Sequence, residues 1–143
     1  MNKTKIGFIG LGNVGGKLAG NLARLAGLGP GKIWLEMSTT DSAQVRGLGA
    51  LVETRGGSAM DCPVSGGCHR AETGNLSIFA GGPRSTFEAV LPVLSIIGRR
   101  ILRTGALGSA SILKVVTNYL IKDVGPFDAL AQELPAPGYE VLP

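Results

Sequence analysis

Apolar residues change their spacing several times along this chain, and each change marks an element. Ile6-Gly7-Phe8-Ile9 is a short apolar run closed by Gly10, which predicts a buried strand over residues 5–10. Val14, Leu18, Leu22 and Leu25 then recur at helical spacing, predicting a helix from Val14 to Ala26 that Gly27 stops. After the turn Leu28-Gly29-Pro30-Gly31, the run Lys32–Met37 predicts a second strand. Asp41 is placed to cap the next helix, with Gln44 three residues on completing a capping-box pattern. That helix is expected to reach Thr54, weakened by Gly47 and Gly49, and to end at Arg55-Gly56-Gly57.

The alternation continues downstream. Ser58–Val64 and Asn75–Ala80 predict a third and a fourth strand, and Ser85–Ile97 a helix that Pro92 interrupts. Arg100–Arg103 predicts a short fifth strand and Ser109–Ile121 a last helix. The tail, with Pro135, Pro137, Gly138 and Pro143, is expected to be irregular. Strands alternating with helices imply an α/β fold: a shortened, Rossmann-like, mainly parallel sheet with flanking helices, followed by a helical remnant.

The 143 residues fit one compact unit. No apolar run approaches the ~20 residues of a membrane span. The first residues, Met1-Asn2-Lys3-Thr4-Lys5, show no signal-peptide pattern. Two cysteines, Cys62 and Cys68, fit a reducing compartment, and the expected location is the cytoplasm. One histidine, His69, leaves too few ligands for a Cys/His metal site, so no metal is expected. The net charge of +4 suits anionic ligands such as nucleotides and carboxylates. The basic cluster Arg99, Arg100 and Arg103 lacks interleaved aromatics and reads as a solvated strand end, not a nucleic-acid surface. Neither nucleic acid nor membrane is expected as a partner.

Four stretches carry candidate chemistry. Gly10-Leu11-Gly12-Asn13-Val14-Gly15 follows the first strand and opens the first helix. Glycines so placed permit a tight turn, backbone approach to a pyrophosphate and close helix–strand packing; a Gly-rich turn without a ligand is the plainer reading. Met37-Ser38-Thr39-Thr40 lies at a strand's C-terminal end, where ligands sit in open α/β sheets; its hydroxyls also suit simple capping. Asp61-Cys62-Pro63-Val64-Ser65-Gly66-Gly67 offers a hydroxyl and two unobstructed backbone N–H groups, a nest for a carboxylate or merely a turn. Gly105-Ala106-Leu107-Gly108 precedes a helix on which Lys114 and Asn118, four apart, share one face. Ser111 and Lys122 fall near that stripe, and Ile112, Leu113, Val116 and Leu120 form the opposite, apolar one. Either this is an amphipathic helix with a solvated polar face, or Lys114 is a general acid/base positioned by an amide.

In this order the stretches resemble the β-hydroxyacid dehydrogenases, the family of 3-hydroxyisobutyrate dehydrogenase and tartronate semialdehyde reductase. Phe8–Gly15 is similar to the N-terminal signature, with Val14 and Leu18 where methionines are usual. Asp61–Gly67 is similar to the substrate-binding motif, Gly105–Asn118 to the catalytic motif with Thr117 in place of a common asparagine, and Lys122-Asp123 to a later motif.

The resemblance implies NAD or NADP as cofactor and a small 3-hydroxy acid or semialdehyde as substrate. It implies Lys114 as catalytic acid/base, Ser65, Gly66 and Gly67 holding the substrate carboxylate, and Asn118 orienting the substrate. Gly10, Leu11, Gly12, Asn13, Val14, Gly15, Thr39 and Lys122 would then contact the cofactor. Residues 1–108 would form the dinucleotide-binding part and 109–143 the catalytic-motif helix and a remnant of a helical domain.

Family members are much longer, and the chain reads as one with internal deletions near residues 26–31 and 120–121. Glu36 stands about 20 residues past Gly15, where a ribose-binding acid belongs; alignment with the family makes it an ordinary strand end. With most of the helical domain missing, Lys114 is expected to stay unburied, protonated and poorly matched to proton transfer. An inactive nucleotide-binding or self-associating module, a homo-oligomer included, is the competing expectation.

Overall fold

The computed structural model describes residues 28–124 and 140–142, with side chains through residue 120. The expected strand over 5–10, the expected helix over 14–26 and the fingerprint Gly10–Gly15 lie outside the described residues. Six strands form one sheet: β1 (Ile33–Glu36), β2 (Ser58–Asp61), β3 (Val64–Ser65), β4 (Leu76–Gly81), β5 (Gly98–Gly105) and β6 (Glu140–Leu142). The helices are α1 (Ser42–Glu53), α2 (Gly67–Glu72), α3 (Arg84–Ile97) and α4 (Ser109–Val124).

The order across the sheet is β1-β2-β4-β5-β6, with β3 also on β4. The two longest ladders, β1·β2 and β4·β5, are parallel, whereas β2·β4, β3·β4 and β5·β6 are antiparallel. The sheet is therefore mixed. β2 and β3 act as one strand bent at Cys62-Pro63: Asp61 pairs Gly81, Phe79 N–H donates to Pro63 O at 3.0 Å, and Val64 and Ser65 pair Ile78 and Ser77. A proline has no N–H to give a ladder, which accounts for the break inside the expected strand 58–64.

Alternation along the strands decides what each face meets. Met60, Cys62, Ile78, Ala80 and Ile101 pack with Phe87, Val90 and Leu94 of α3 in one buried cluster. On the intervening positions, Ala59 and Gly81 lie beside α1 and the start of α4: a Cβ at Gly49 of α1 would sit 3.3 Å from the Ala59 Cβ, and one at Gly81 would sit 2.9 Å from Ser109 Oγ. The product is a helix–sheet–helix sandwich.

Local chemistry explains most element ends. Asp41 caps α1 as expected, its Oδ1 accepting from Ala43 N at 2.8 Å and Gln44 N at 3.0 Å. Pro92 does not break α3; Pro92 and Glu88, whose carbonyl has no N–H to accept from at Pro92, are both exposed residues. Two expectations need correction. α2 follows directly on Gly66, whose φ of 135° starts the turn, where no helix was expected. The tail is not wholly irregular, since Glu140–Leu142 pairs with Ile101–Arg103.

Candidate active site

Four strand ends line up in a row. Glu36 is registered to Asp61, Asp61 to Gly81, and Gly81 to Gly105. From this row leave the turn Met37–Thr40, the bend Cys62–Gly67 and the turn Ala106–Gly108 that opens α4. β1 and β2 run antiparallel to β4 and β5, so the first two segments leave this row on one side and the turn Ala106–Gly108 on the other, from where α4 packs back over β4 and β2.

Asp61 is the centre of that line. It is fully buried, and both carboxylate oxygens are used: Oδ1 accepts from Gly108 N at 2.8 Å, and Oδ2 from Ser111 N at 2.7 Å and Ser111 Oγ at 2.9 Å. The first residue of the Asp61–Gly67 stretch is therefore bonded to the first turn of the helix carrying Lys114. A lone acid in the buried run Ala59-Met60-Asp61-Cys62 is the sequence signal for this residue, which the motif reading passed over. Gly81 makes room for it, since a Cβ there would lie 2.4 Å from Asp61 Oδ1 and 2.9 Å from Ala106 O. Leu107 fills the space left by Gly49: a Cβ on Gly49 would meet Leu107 Cδ2 at 2.3 Å. A hydroxyl pair, Thr104 Oγ1 and Ser109 Oγ at 2.7 Å, closes the same turn from β5, and Thr104 Oγ1 donates to Ala80 O at 3.2 Å.

Helix α4 reverses the amphipathic expectation. Its buried residues are Ala110, Ser111, Lys114 and Thr117, while Ile112, Val115, Val116 and Tyr119 are exposed. The polar stripe faces inward and much of the apolar one outward. Thr117 Oγ1 is satisfied by donating to Lys114 O at 2.9 Å. Lys114 is 7 % exposed, and burial lowers its pKa from the ordinary 10.5. The expectation that it would stay unburied is thus corrected: α4 packs on β2, β4, β5 and α1, and no separate helical domain is needed to bury this residue. Desolvation disfavours the ammonium form, which favours proton exchange nearer neutral pH. Asn118, one turn on, is exposed, so the stripe opens to solvent there. Lys122 lies on the last turn of α4, and its side chain is outside the described residues.

Ser65 is half-buried on β3, and Gly66 and Gly67 are exposed with φ of 135° and 68°. A Cβ at Gly66 would lie 2.8 Å from Arg70 Cδ. Thr39 is exposed just past β1. Glu36 Oε1 accepts from the hydroxyl of Ser38 and from Ser38 N at 2.9 Å, so this carboxylate shapes the Met37–Thr40 turn, in keeping with the strand-end reading of Glu36. An exposed hydroxyl beyond the end of a parallel ladder fits the edge of a nicotinamide-type ligand. The described residues hold no cluster of His, Cys, Asp and Glu suited to a metal ion, and none of their helices is long and apolar enough to cross a membrane.

A family model described as the NAD binding domain of 6-phosphogluconate dehydrogenase matches residues 24–105. The match includes Thr39 and Ser65–Gly67 and stops before Lys114. The chain is 34% identical over 91 residues to 2-(hydroxymethyl)glutarate dehydrogenase from Eubacterium barkeri, covering 64% of this chain and 30% of that protein. It is 35% identical over 114 residues to 3-hydroxyisobutyrate dehydrogenase from Pseudomonas aeruginosa, covering 78% and 37%. The solved structure of Mycobacterium tuberculosis 3-hydroxyisobutyrate dehydrogenase with L-serine superposes with a TM-score of 0.68 at 24% identity, over 86% of this chain and 53% of that one; this likeness is one of fold. The chain spans about a third of the length of these two curated relatives.

Proposed function

We propose that this chain, which belongs to the family of the NAD binding domain of 6-phosphogluconate dehydrogenase, acts in reversible hydride transfer between NAD or NADP and a small 3-hydroxy acid. The observation that carries this reading is the buried lysine on a helix whose first turn is bonded to Asp61, the strand-end residue that leads into Ser65–Gly67.

The nicotinamide supplies the hydride acceptor or donor when bound. Thr39 would contact it from the β1 end, and Gly10–Gly15 and Lys122 would complete its site. Ser65 Oγ and the N–H groups of Gly66 and Gly67 would hold the substrate carboxylate; glycines present these donors without a side chain in the way. Lys114 Nζ would take the hydroxyl proton in oxidation and return it in reduction, with Asn118 turning the substrate toward it. Burial lowers the Lys114 pKa, which makes its proton easier to give up and so favours the base role in oxidation. The relatives named above act on acids of this kind by their names, and the cytoplasm is the compartment proposed for the reaction.

The test pairs binding with turnover. The chain is expected to bind NAD or NADP in calorimetry and to oxidise 3-hydroxyisobutyrate or a close analogue. Lys114→Ala should leave cofactor affinity within a few-fold and lower kcat by roughly 10²–10⁴. Unchanged turnover in that variant overturns the role of Lys114. Cofactor binding with no turnover by the parent chain makes it a nucleotide-binding module instead.

A further inference from the structure

Asp61 has no part in the proton transfer just described, yet it is the most completely buried charge among the described residues. A carboxylate in such a place is costly unless its oxygens are fully used. The donors it uses are telling. Gly108 N–H and Ser111 N–H belong to the start of α4, where N–H groups have no partner within the helix. Asp61 thus performs a cap from 47 and 50 residues away, and its negative charge suits the positive end of the helix. Ser111 is three residues before Lys114, and Asp61 is four residues before Ser65. One residue therefore joins the two segments: Asp61 is hydrogen-bonded to the start of the helix bearing Lys114 and leads, within its own strand, into the bend bearing Ser65.

The surroundings leave that link no slack. Gly81 lacks the Cβ that would strike Asp61 Oδ1 at 2.4 Å, and Leu107 is locked into the space at Gly49. We infer that Asp61 is a positioning residue, with Ser111 as its partner, that sets where the Lys114 side chain lies relative to Ser65–Gly67. The role rests on the reading of Lys114 given above.

A purely structural buried acid would stabilise the fold without governing the environment of Lys114, and the two can be separated. On the described elements packed against α4 the charged side chains are Asp61 on β2, Arg46 and Glu53 on α1, and Arg99, Arg100 and Arg103 on β5; β4 brings none. Burial is the cause of the lowered Lys114 pKa, and loss of the Asp61 charge by itself could only lower that pKa further, so a raised midpoint reports moved packing. Asp61→Asn keeps the size but turns one acceptor into a donor facing an N–H.

The experiment is competitive acetylation of the full chain without cofactor, read by peptide mass spectrometry across pH, with exposed Lys32 as the internal reference. In the parent chain Lys114 is expected to be half-labelled at lower pH than Lys32. Asp61→Asn should raise that midpoint toward Lys32 by about 0.5 pH unit or more, and Ser111→Ala should raise it by less. Leu94→Ala, a destabilising core substitution in the opposite layer, should leave it in place. The inference is overturned if folded Asp61→Asn titrates Lys114 as the parent does, or if Leu94→Ala moves it as far. Should Asp61→Asn not fold, Ser111→Ala decides alone, and an unmoved midpoint overturns the role. The labelling needs no turnover, so a failed dehydrogenase assay sinks the function without touching this result, and a fixed midpoint in an active chain sinks only this inference.

Discussion

Burial treats the Cys62 thiol and the Lys114 amine in opposite senses. The Cys62 thiol is pushed from 9.0 up to about 12, by desolvation first and by the Asp61 charge second. Between those values the folded chain keeps a proton the unfolded chain has lost. Stability present below pH 9 is therefore lost as pH rises toward 12, on the order of 4 kcal/mol across the whole window. Lys114 runs the other way: its lowered pKa means that stability grows as pH rises from its folded pKa toward 10.5. In a Lys114→Gln chain, which lacks the opposing contribution, urea midpoints should fall steadily above pH 9, and adding Cys62→Ala should flatten that fall. A disulfide reagent at neutral pH should titrate exposed Cys68 in the native chain and Cys62 only on unfolding. The motif singles out Lys114 in the sequence but says nothing of its burial. The helix period groups Lys114 with Ser111 and Asn118 without saying which stripe meets the sheet. The bonding of Asp61 was illegible for a related reason: its partners are 47 and 50 residues away, beyond the reach of any local pattern.

Among the elements, α1 shows how one residue type can serve two ends. Gly47 and Gly49 look alike in the sequence, each weakening a helix. A Cβ at Gly47 meets nothing within 4 Å, whereas one at Gly49 meets Leu107 at 2.3 Å and Ala59 at 3.3 Å. Gly47→Ala should stabilise the chain by about 0.5–1 kcal/mol in urea unfolding. Gly49→Ala should forfeit that gain, because Leu107 must leave its place at the head of α4. Equal gains from the two would refute the notch. Most helices and strands were legible because period and end signals agreed, as at Asp41 for α1. The short helix α2 was not, since six residues are too few to show a period. Nor was the pairing direction of β4 against the bent strand β2–β3, which is settled by contacts and not by composition.

For the whole molecule, the family and the general sandwich followed from motif order, and the outward apolar face of α4 did not. Ile112, Val115, Val116 and Tyr119 lie on one side of the helix, and a shallow hollow of about 250 Å³ runs beside them, lined by Thr104, Ser109, Ile112, Leu113 and Val116. Since these side chains gain little from folding, Val116→Asn with Tyr119→Ser should change unfolding stability by less than ~0.5 kcal/mol. The same pair should reduce the fluorescence of a bound hydrophobic dye, and a large loss of stability would show that the face is covered in solution.

The remote cap on α4 also bears on the order in which the chain assembles. Helix α1 begins on the side chain of its own N-cap, Asp41, whereas α4 receives its carboxylate from β2. A synthetic peptide of residues 105–124 lacks that group, so its first turn should fray in isolation. In the intact chain that end should become ordered only once β2 has joined the sheet, which ties the last step of helix formation to closure of a loop some fifty residues long.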